Sequence, residues 1–356
     1  MTGFKSSETG SLGGAPGPDT GAVESRSGSR GRSAAPATAP HSGAEADRSE
    51  SLVPLADPVP PEEIARELSA ADKLADVGKL SVFEVDGNLS PATLREIGRI
   101  REREYRAVGA GRNLEVDIDR FDTAPYLYRQ IVVWDPGARQ LVAMYRYVET
   151  GRALRELGEV GLRTSTLFSF SDRFREVVLT CAVELGRSVV NSESASAIRG
   201  LHAVWFGLGA LAGRVPGLKY YFGNVTLSRS LGREPVGEIL GMLRRSCPPG
   251  EGLVVEDVAA REPSPEVAAS GDEEGYPVGE HKAALARARE RLAPEGLGVP
   301  PILISYLKAT RRLWAFDTAY DSDFGDAWET AIVVPISQLT EQSLRTFFAA
   351  HKGGAA

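Results

Sequence analysis

Val177-Val-Leu-Thr-Cys-Ala-Val-Glu-Leu-Gly-Arg-Ser-Val-Val190 is a long apolar, β-branched run with two charges set into its second half. Its composition predicts a buried central strand from Val177 to Val190. A charge inside such a strand is expensive unless it is paired or used. Glu184 and Arg187 stand three residues apart, so in a regular strand their side chains leave on opposite faces. They share one cleft only where a bulge intervenes. Two readings stand open for Glu184. It accepts a proton from a substrate amine, directly or through water, or it forms an ion pair that holds the strand.

Downstream of this run, Leu201, Val204, Trp205, Leu208 and Leu211 recur at helical spacing and predict a helix over Ala197–Arg214. Trp205 and Phe206 read as core on this pattern. A strand at Leu218–Phe222 and a helix at Pro235–Arg245 follow. Residues 259–280 are acidic and rich in Pro, Gly and Ser, the composition of a mobile insertion. A helix at Ile302–Arg312, a short strand at Leu313–Phe316 and a last strand at Thr330–Pro335 complete the order.

Upstream, Gln130–Trp134 and Gln140–Val148 read as two hairpin strands around the turn Asp135-Pro-Gly-Ala-Arg139. Ser90-Pro91 starts a helix that runs to about Val108. Leu80–Val85 reads as the first strand, and Pro61–Leu68 as a short helix before it. Residues 1–60 carry almost no large apolar side chains and are expected to be a disordered tail. Its basic stretch, Arg26 to Arg32, reads as solvated linker. The folded domain is expected over residues 76–345, in an α/β (α+β) arrangement.

Composition excludes several classes. The net charge of −7 does not suit a nucleic-acid binder. No window approaches the roughly 18–20 apolar residues that span a bilayer, and the N-terminus lacks the apolar core of a secretory signal. The expected compartment is therefore the cytoplasm. Two cysteines, Cys181 and Cys247, make neither a disulfide framework nor a zinc site. Four scattered histidines form no ligand pattern, so metal catalysis is not expected.

Several segments in this order carry a family pattern. They are Leu94-Arg-Glu-Ile-Gly-Arg-Ile-Arg-Glu-Arg-Glu-Tyr-Arg-Ala-Val-Gly109, Asp117-Ile-Asp-Arg-Phe-Asp122, Met144-Tyr-Arg146, Thr164-Ser-Thr-Leu-Phe168, Glu184-Leu-Gly-Arg-Ser188, Trp205-Phe-Gly207 and Tyr221-Phe-Gly-Asn-Val-Thr-Leu-Ser228. An echo follows at Pro300-Pro-Ile-Leu-Ile-Ser-Tyr306, Phe316-Asp317 and Phe324. Together these resemble the GNAT superfamily, in its branch of ornithine and glycine N-acyltransferases and hemolysin-like acyltransferases. The resemblance implies a central mixed, mostly antiparallel sheet flanked by helices. It also implies transfer of a fatty (3-hydroxy)acyl group from acyl carrier protein to the α-amine of an amino acid, in aminolipid synthesis, with transient access to the inner membrane face. Acyl-homoserine-lactone synthases share the architecture.

On that resemblance, Glu184 and Arg187 are the expected catalytic pair. Asp117, Asp119 and Asp122 are expected to fix the ammonium group or to shape the acyl-entry loop, the bland reading being a solvated acidic loop. Arg106 and Arg146 are expected to clamp a substrate carboxylate or the phosphate of phosphopantetheine. Arg101 and Arg103 read as a solvated helix face. The sequence also departs from the pattern. Arg129-Gln130 stands where relatives carry a His pair, Thr123-Ala-Pro125 is extra, Ala110 replaces a Glu, and Ser194-Ala195 replaces a Tyr followed by Arg or Gln. The pyrophosphate-binding Q/R-x-x-G-x-G/A loop of acetyl-CoA-using relatives is absent after the central strand, which points to acyl carrier protein rather than acyl-CoA. The alternatives are a degenerate GNAT domain that binds acyl groups or a partner without turnover, and an acylated-signal synthase.

Overall fold

A computed structural model of the chain describes residues 52–263 and 273–348. In chain order the main elements are helix α1 (Pro61–Ser69), strands β1 (Asp72–Val77) and β2 (Leu80–Val85), helix α2 (Pro91–Ala107), and the hairpin β3 (Arg129–Asp135) and β4 (Gln140–Glu149). Helix α3 (Thr150–Leu157), strand β5 (Phe168–Phe170), helix α4 (Asp172–Val177) and strand β6 (Ala182–Val190) follow. Then come α5 (Ala197–Arg214), β7 (Tyr220–Leu227), α6 (Arg233–Ser246), β8 (Val258–Ala260), α7 (His281–Leu292), α8 (Pro301–Ala309), β9 (Trp314–Asp321) and β10 (Ala327–Pro335).

Eight strands form one sheet in the order β1-β2-β3-β4-β6-β7-β10-β9, and β5 pairs with β8 in a small second sheet. Every neighbour in the large sheet is antiparallel except β6 and β7, which are parallel. The expected mixed, mostly antiparallel sheet flanked by helices is therefore present. The hairpin turn is closed as its sequence demands: Asp135 Oδ1 accepts the N–H groups of Gly137 and Ala138, both at 3.1 Å. Helix α2 begins with Pro91 at its first position and buries Leu94, Ile97 and Ile100 along one stripe. Helix α5 spans the expected residues and lies on the sheet through Val204, Leu208 and Leu211.

The one parallel pair is short. Ala182–Leu185 faces Tyr220–Gly223, and there the pairing stops. Beyond it β6 stays with β4 as far as Val190, while β7 stays with β10 as far as Leu227, so the sheet forks. Gly223 sits at the crotch. A Cβ there would stand 2.4 Å from the Leu185 carbonyl oxygen, which only glycine avoids. On the β6 limb Gly186, Arg187 and Ser188 are only half-buried, whereas residues 182–185, before the fork, are buried.

Several expectations need correction. The central strand starts at Ala182, not Val177: residues 172–177 are α4 and residues 179–181 a single 3-10 turn. Phe174, Val178 and Leu179 are fully buried there, packed with Phe168, Phe170 and Phe222. An apolar run filled a satellite core from a helix and a turn, and residue type alone does not distinguish the two. Cys181 is thus half-buried in the turn rather than in a strand. Leu80–Val85 is the second strand, since Asp72–Val77 pairs outside it.

The folded unit also extends N-terminal to residue 76. Residues 52–60 run as a strap, with Val59 buried, Val59 N–H bonded to Glu96 (3.1 Å) and Ala56 N–H bonded to the Glu115 carbonyl (3.1 Å). The remainder of the expected tail, residues 1–51 with its basic stretch, lies outside the described residues. At the start of the expected mobile insertion (259–280), the strand Val258–Ala260 pairs with Phe168–Phe170, while residues 264–272 lie outside the description.

Candidate active site

The fork places a bulge at the centre of the β6 limb. Met144 faces Val189 and Arg146 faces Gly186, so β6 carries one residue more than β4 between the two pairs. Arg187 absorbs it with a left-handed φ of 54°. The bulge brings Arg187 to Asp117 and Asp119, the second of which Arg146 also holds, whereas Glu184 bonds Tyr128 and Thr164 instead.

Four arginines and three aspartates meet in the Arg146–Arg187 network. Asp122 is bound by Arg101 (3.0 Å), Arg146 (3.2 Å) and the Gln130 amide (2.9 Å). Asp119 meets Arg146 through one oxygen (2.6 Å) and Arg187 through the other (3.4 Å). Asp117 meets Arg187 at 3.1 Å and Arg112 at 3.4 Å. Burial pushes the Asp119 and Asp122 carboxyls up, but the guanidinium groups, Arg146 for Asp119 and Arg101 with Arg146 for Asp122, outweigh it and hold both below the usual range. The same two aspartates cap a 3-10 turn reciprocally: Asp119 accepts from Phe121 N–H (2.8 Å) and Asp122 from Asp119 N–H (3.0 Å).

The acidic segment is therefore not a solvated loop. Its carboxylates do separate, however. Asp117 and Asp122 are sealed in, whereas Asp119 lines a cleft of about 680 Å³ together with Arg112, Arg163, Arg187, Arg261 and Asp321. Arg101, read from sequence as solvated, is completely buried at the heart of the network.

Arg106 lies elsewhere. Its Nε bonds Glu102 (2.7 Å), and its two terminal nitrogens donate to the carbonyls of Val53 (2.7 Å) and Leu114 (2.6 Å). The expected substrate clamp is instead the clasp of the N-terminal strap, since its donors are taken up by backbone before any ligand arrives. Arg146 is likewise occupied and buried, holding Asp119 and Asp122 from beneath the cleft.

Glu184 is 1% exposed. One carboxylate oxygen accepts from the Tyr128 hydroxyl (2.5 Å) and Thr164 N–H (3.3 Å), the other from the Thr164 hydroxyl (2.7 Å). Burial raises its pKa despite those donors. Tyr128 in turn accepts the Arg163 N–H at 2.6 Å. Glu184 thus fastens the segment that carries Arg163, whose guanidinium pairs with Asp321 at 2.6 Å on the cleft wall.

Sequence reasoning passed over Tyr128, Arg163, Asp321 and above all Glu329. The last stands in the middle of Ala327–Pro335, a strand buried at every position. A lone carboxylate in an apolar strand is the same signal that drew attention to Glu184. A second, water-sized hollow of about 10 Å³ lies at the crotch, lined in part by Tyr145, Leu185, Gly223, Asn224 and Tyr306. The hydroxyls of Tyr145 and Tyr306 bond each other there. Trp205 packs edge-on to Tyr306 and belongs to the core, as expected.

A mixed, mostly antiparallel sheet that opens at its one parallel pair is the sheet of a GNAT fold, and a fold alone does not fix an activity. Residues 100–199 match the family described as acetyltransferase (GNAT) domain. A glycine N(alpha)-acyltransferase of Bacteroides thetaiotaomicron is 32% identical over 310 residues, covering 83% of this chain and 90% of the relative. A second glycine N(alpha)-acyltransferase, from Phocaeicola vulgatus, is 30% identical over 297 residues, covering 80% and 89%. A solved CoA-dependent acyl-homoserine lactone synthase, MesI, aligns over 76% of this chain and 93% of its own at 13% identity, with a TM-score of 0.30. The chain belongs to the GNAT N-acyltransferases and transfers an acyl group to an amine. Among the described residues no helix is long and apolar enough to cross a membrane.

Proposed function

We propose that the chain moves a fatty acyl group from the phosphopantetheine thioester of acyl carrier protein to the α-amine of an amino acid, glycine or ornithine, in aminolipid synthesis. The observation that carries this reading is the position of the charged cleft beside the fork. An amino acid is zwitterionic, and the cleft offers Asp119 and Asp321 for its ammonium and Arg163, Arg187 and Arg261 for its carboxylate. The β6 limb beyond Leu185 has lost its β7 partner, so its backbone is available to pair with a pantetheine arm and to donate an N–H to a developing oxyanion. A Cβ added at Gly186 would meet no atom within 4 Å, which leaves room there for the thioester.

In this reading Asp119 and Arg187 touch the acceptor, while Asp117, Asp122 and Arg146 hold them in place. Glu184 positions the Arg163 segment, and Arg106 acts at a distance through the strap. The relatives named for glycine transfer support the choice of acceptor. Purified protein incubated with 3-hydroxyacyl carrier protein, or with the matching acyl-CoA, and single amino acids tests the proposal. Mass spectrometry should find an N-acyl amino acid with the carrier protein as the better donor. Turnover from acyl-CoA alone would refute the donor assignment, and no product from any pair would refute the activity.

A further inference from the structure

Tyr145 on β4 and Tyr306 on α8 are each 4% exposed, and their hydroxyls bond each other. Two hydroxyls carry two protons, and a mutual bond uses one of them. The other proton has no acceptor among the described residues. Tyr221, a third phenol in the same wall, shows the ordinary arrangement, since its hydroxyl donates to the Leu208 carbonyl at 2.6 Å. The Tyr145–Tyr306 pair lines the hollow at the crotch, beside Leu185 and Gly223, the last residues paired before the sheet opens. That hollow measures about 10 Å³, the room that one water or one hydroxyl needs. Leu185, Phe222, Ile332 and Val334 add apolar wall around it. The crotch therefore holds a niche for a single small polar group, with a donor to spare.

A structural role is met more simply. Two phenylalanines would fill the same space, and replacing both partners of a buried hydrogen bond by apolar groups of that shape costs little. A pair that leaves one buried donor over is the costly arrangement. Burial holds both phenols well above their ordinary pKa, so they stay neutral and act as hydrogen-bonding groups. Such a pair suits a neutral group that both accepts and donates. A hydroxyl does both, a carbonyl oxygen only accepts, and a methylene does neither. Resting on the transferase reading, which puts the thioester on the β6 limb just past Leu185, we propose that Tyr145 and Tyr306 read the 3-hydroxyl of the acyl donor. The third acyl carbon stands two bonds from the thioester carbonyl carbon, so a chain drawn through the crotch brings its hydroxyl to the hollow. There the hydroxyl accepts the spare phenol proton and donates its own hydrogen bond to a phenol oxygen. An unsubstituted chain leaves the spare donor unpaired, and the preference for a hydroxylated donor follows from that difference. Tyr145 and Tyr306 are specificity residues in this role, and no proton is transferred.

The test compares 3-hydroxyacyl and unsubstituted acyl donors of one chain length, on whichever carrier the enzyme turns over, using wild type and the double variant Tyr145→Phe/Tyr306→Phe. Wild-type kcat/KM should favour the hydroxylated donor about tenfold or more, the worth of one buried hydrogen bond. The double variant should bring that ratio close to one, with the loss falling on the hydroxylated donor. Equal use of both donors by wild type overturns the assignment while leaving the transferase reading intact. So does a double variant that slows both donors by one factor, the result expected of a purely structural pair or of one acting on the thioester itself. Should the double variant fail to fold, a 3-methoxyacyl donor with wild type decides. The hollow has no room for the added methyl, so kcat/KM should fall below that of the unsubstituted donor, and a value at or above it overturns the proposal. Wild type without product from any donor and amine overturns both readings.

Discussion

The guanidinium of Arg187 lies 4.3 Å from the ring centroid of Phe324, and that ring meets Tyr105 edge-on at 4.9 Å. The β9–β10 loop thereby roofs the bulged residue of β6 with an aromatic face, which favours a desolvated cation. Phe324→Ala removes a buried ring and this contact together, and should destabilise the protein by about 3 kcal/mol or more in urea unfolding. Phe324→Leu keeps most of the volume and should lose roughly 1 kcal/mol.

Asp119 and Asp122 separate under substitution, because only the first reaches the cleft. Asp122→Ala leaves Arg101 and Arg146 buried and short of a partner, a loss of about 3–5 kcal/mol measurable by chemical denaturation. Asp119→Asn keeps the turn-capping acceptor and should unfold within about 1 kcal/mol of wild type. Steady-state kinetics should show its KM for the amino acid raised about tenfold or more. Equal stability losses for both variants would contradict the assignment of roles.

Glu329 makes stability fall as pH rises. Its folded pKa of about 7 lies above the unfolded value of about 4.3. Between those values the folded chain binds more protons than the unfolded one, so each rise in pH favours unfolding, and above about 7 the penalty is complete. Glu329→Gln should therefore gain on wild type by an amount on the order of 3 kcal/mol at pH 8. The advantage should vanish near pH 4.5, as followed by urea midpoints across that range.

Tyr128 joins Glu184 to the Arg163 N–H, so Tyr128→Phe leaves that N–H without its acceptor and Glu184 without one donor. The expected loss is about 1–3 kcal/mol. Faster hydrogen exchange should be confined to residues 162–166. A change spread evenly over the sheet would deny that the pair fastens this segment.

Asp135 behaves in the opposite sense to Glu329. Burial pushes it up, but bonds from Lys79, Ala138 N–H and Ser196 prevail and hold it near 2. Its contribution is complete above the unfolded value of about 4 and is lost as pH falls toward 2. Asp135→Asn should narrow the stability gap between pH 6 and pH 3.

The sequence was legible where an element carried its own pattern. The hairpin announced itself through Asp135-Pro136-Gly137, and α2 and α5 through apolar stripes of unbroken period. Asp72–Val77 was overlooked because an edge strand buries little and alternates weakly; only Leu74 in it is buried. The start of β6 was misplaced because Phe174, Val178 and Leu179 are as apolar as strand residues while serving another core. The site was legible as residue types, not as partners. Nothing local to Asp119 shows that its counter-charges are Arg146 and Arg187, each separated from it by 27 residues or more. Arg106 looked like a ligand clamp because its partner, the Val53 carbonyl, lies 53 positions upstream in a stretch without pattern.

The strap also has a practical meaning for anyone trimming the protein. A version beginning at Pro61 would remove the Val53 carbonyl from Arg106, the Val59 N–H from Glu96 and the Val53 N–H from Asn113. It would also uncover the apolar spot on which Val59 rests. Such a version, tidy by compositional standards, should express poorly or clump. One starting at Ser51 keeps all three of these bonds and should match the parent in urea unfolding.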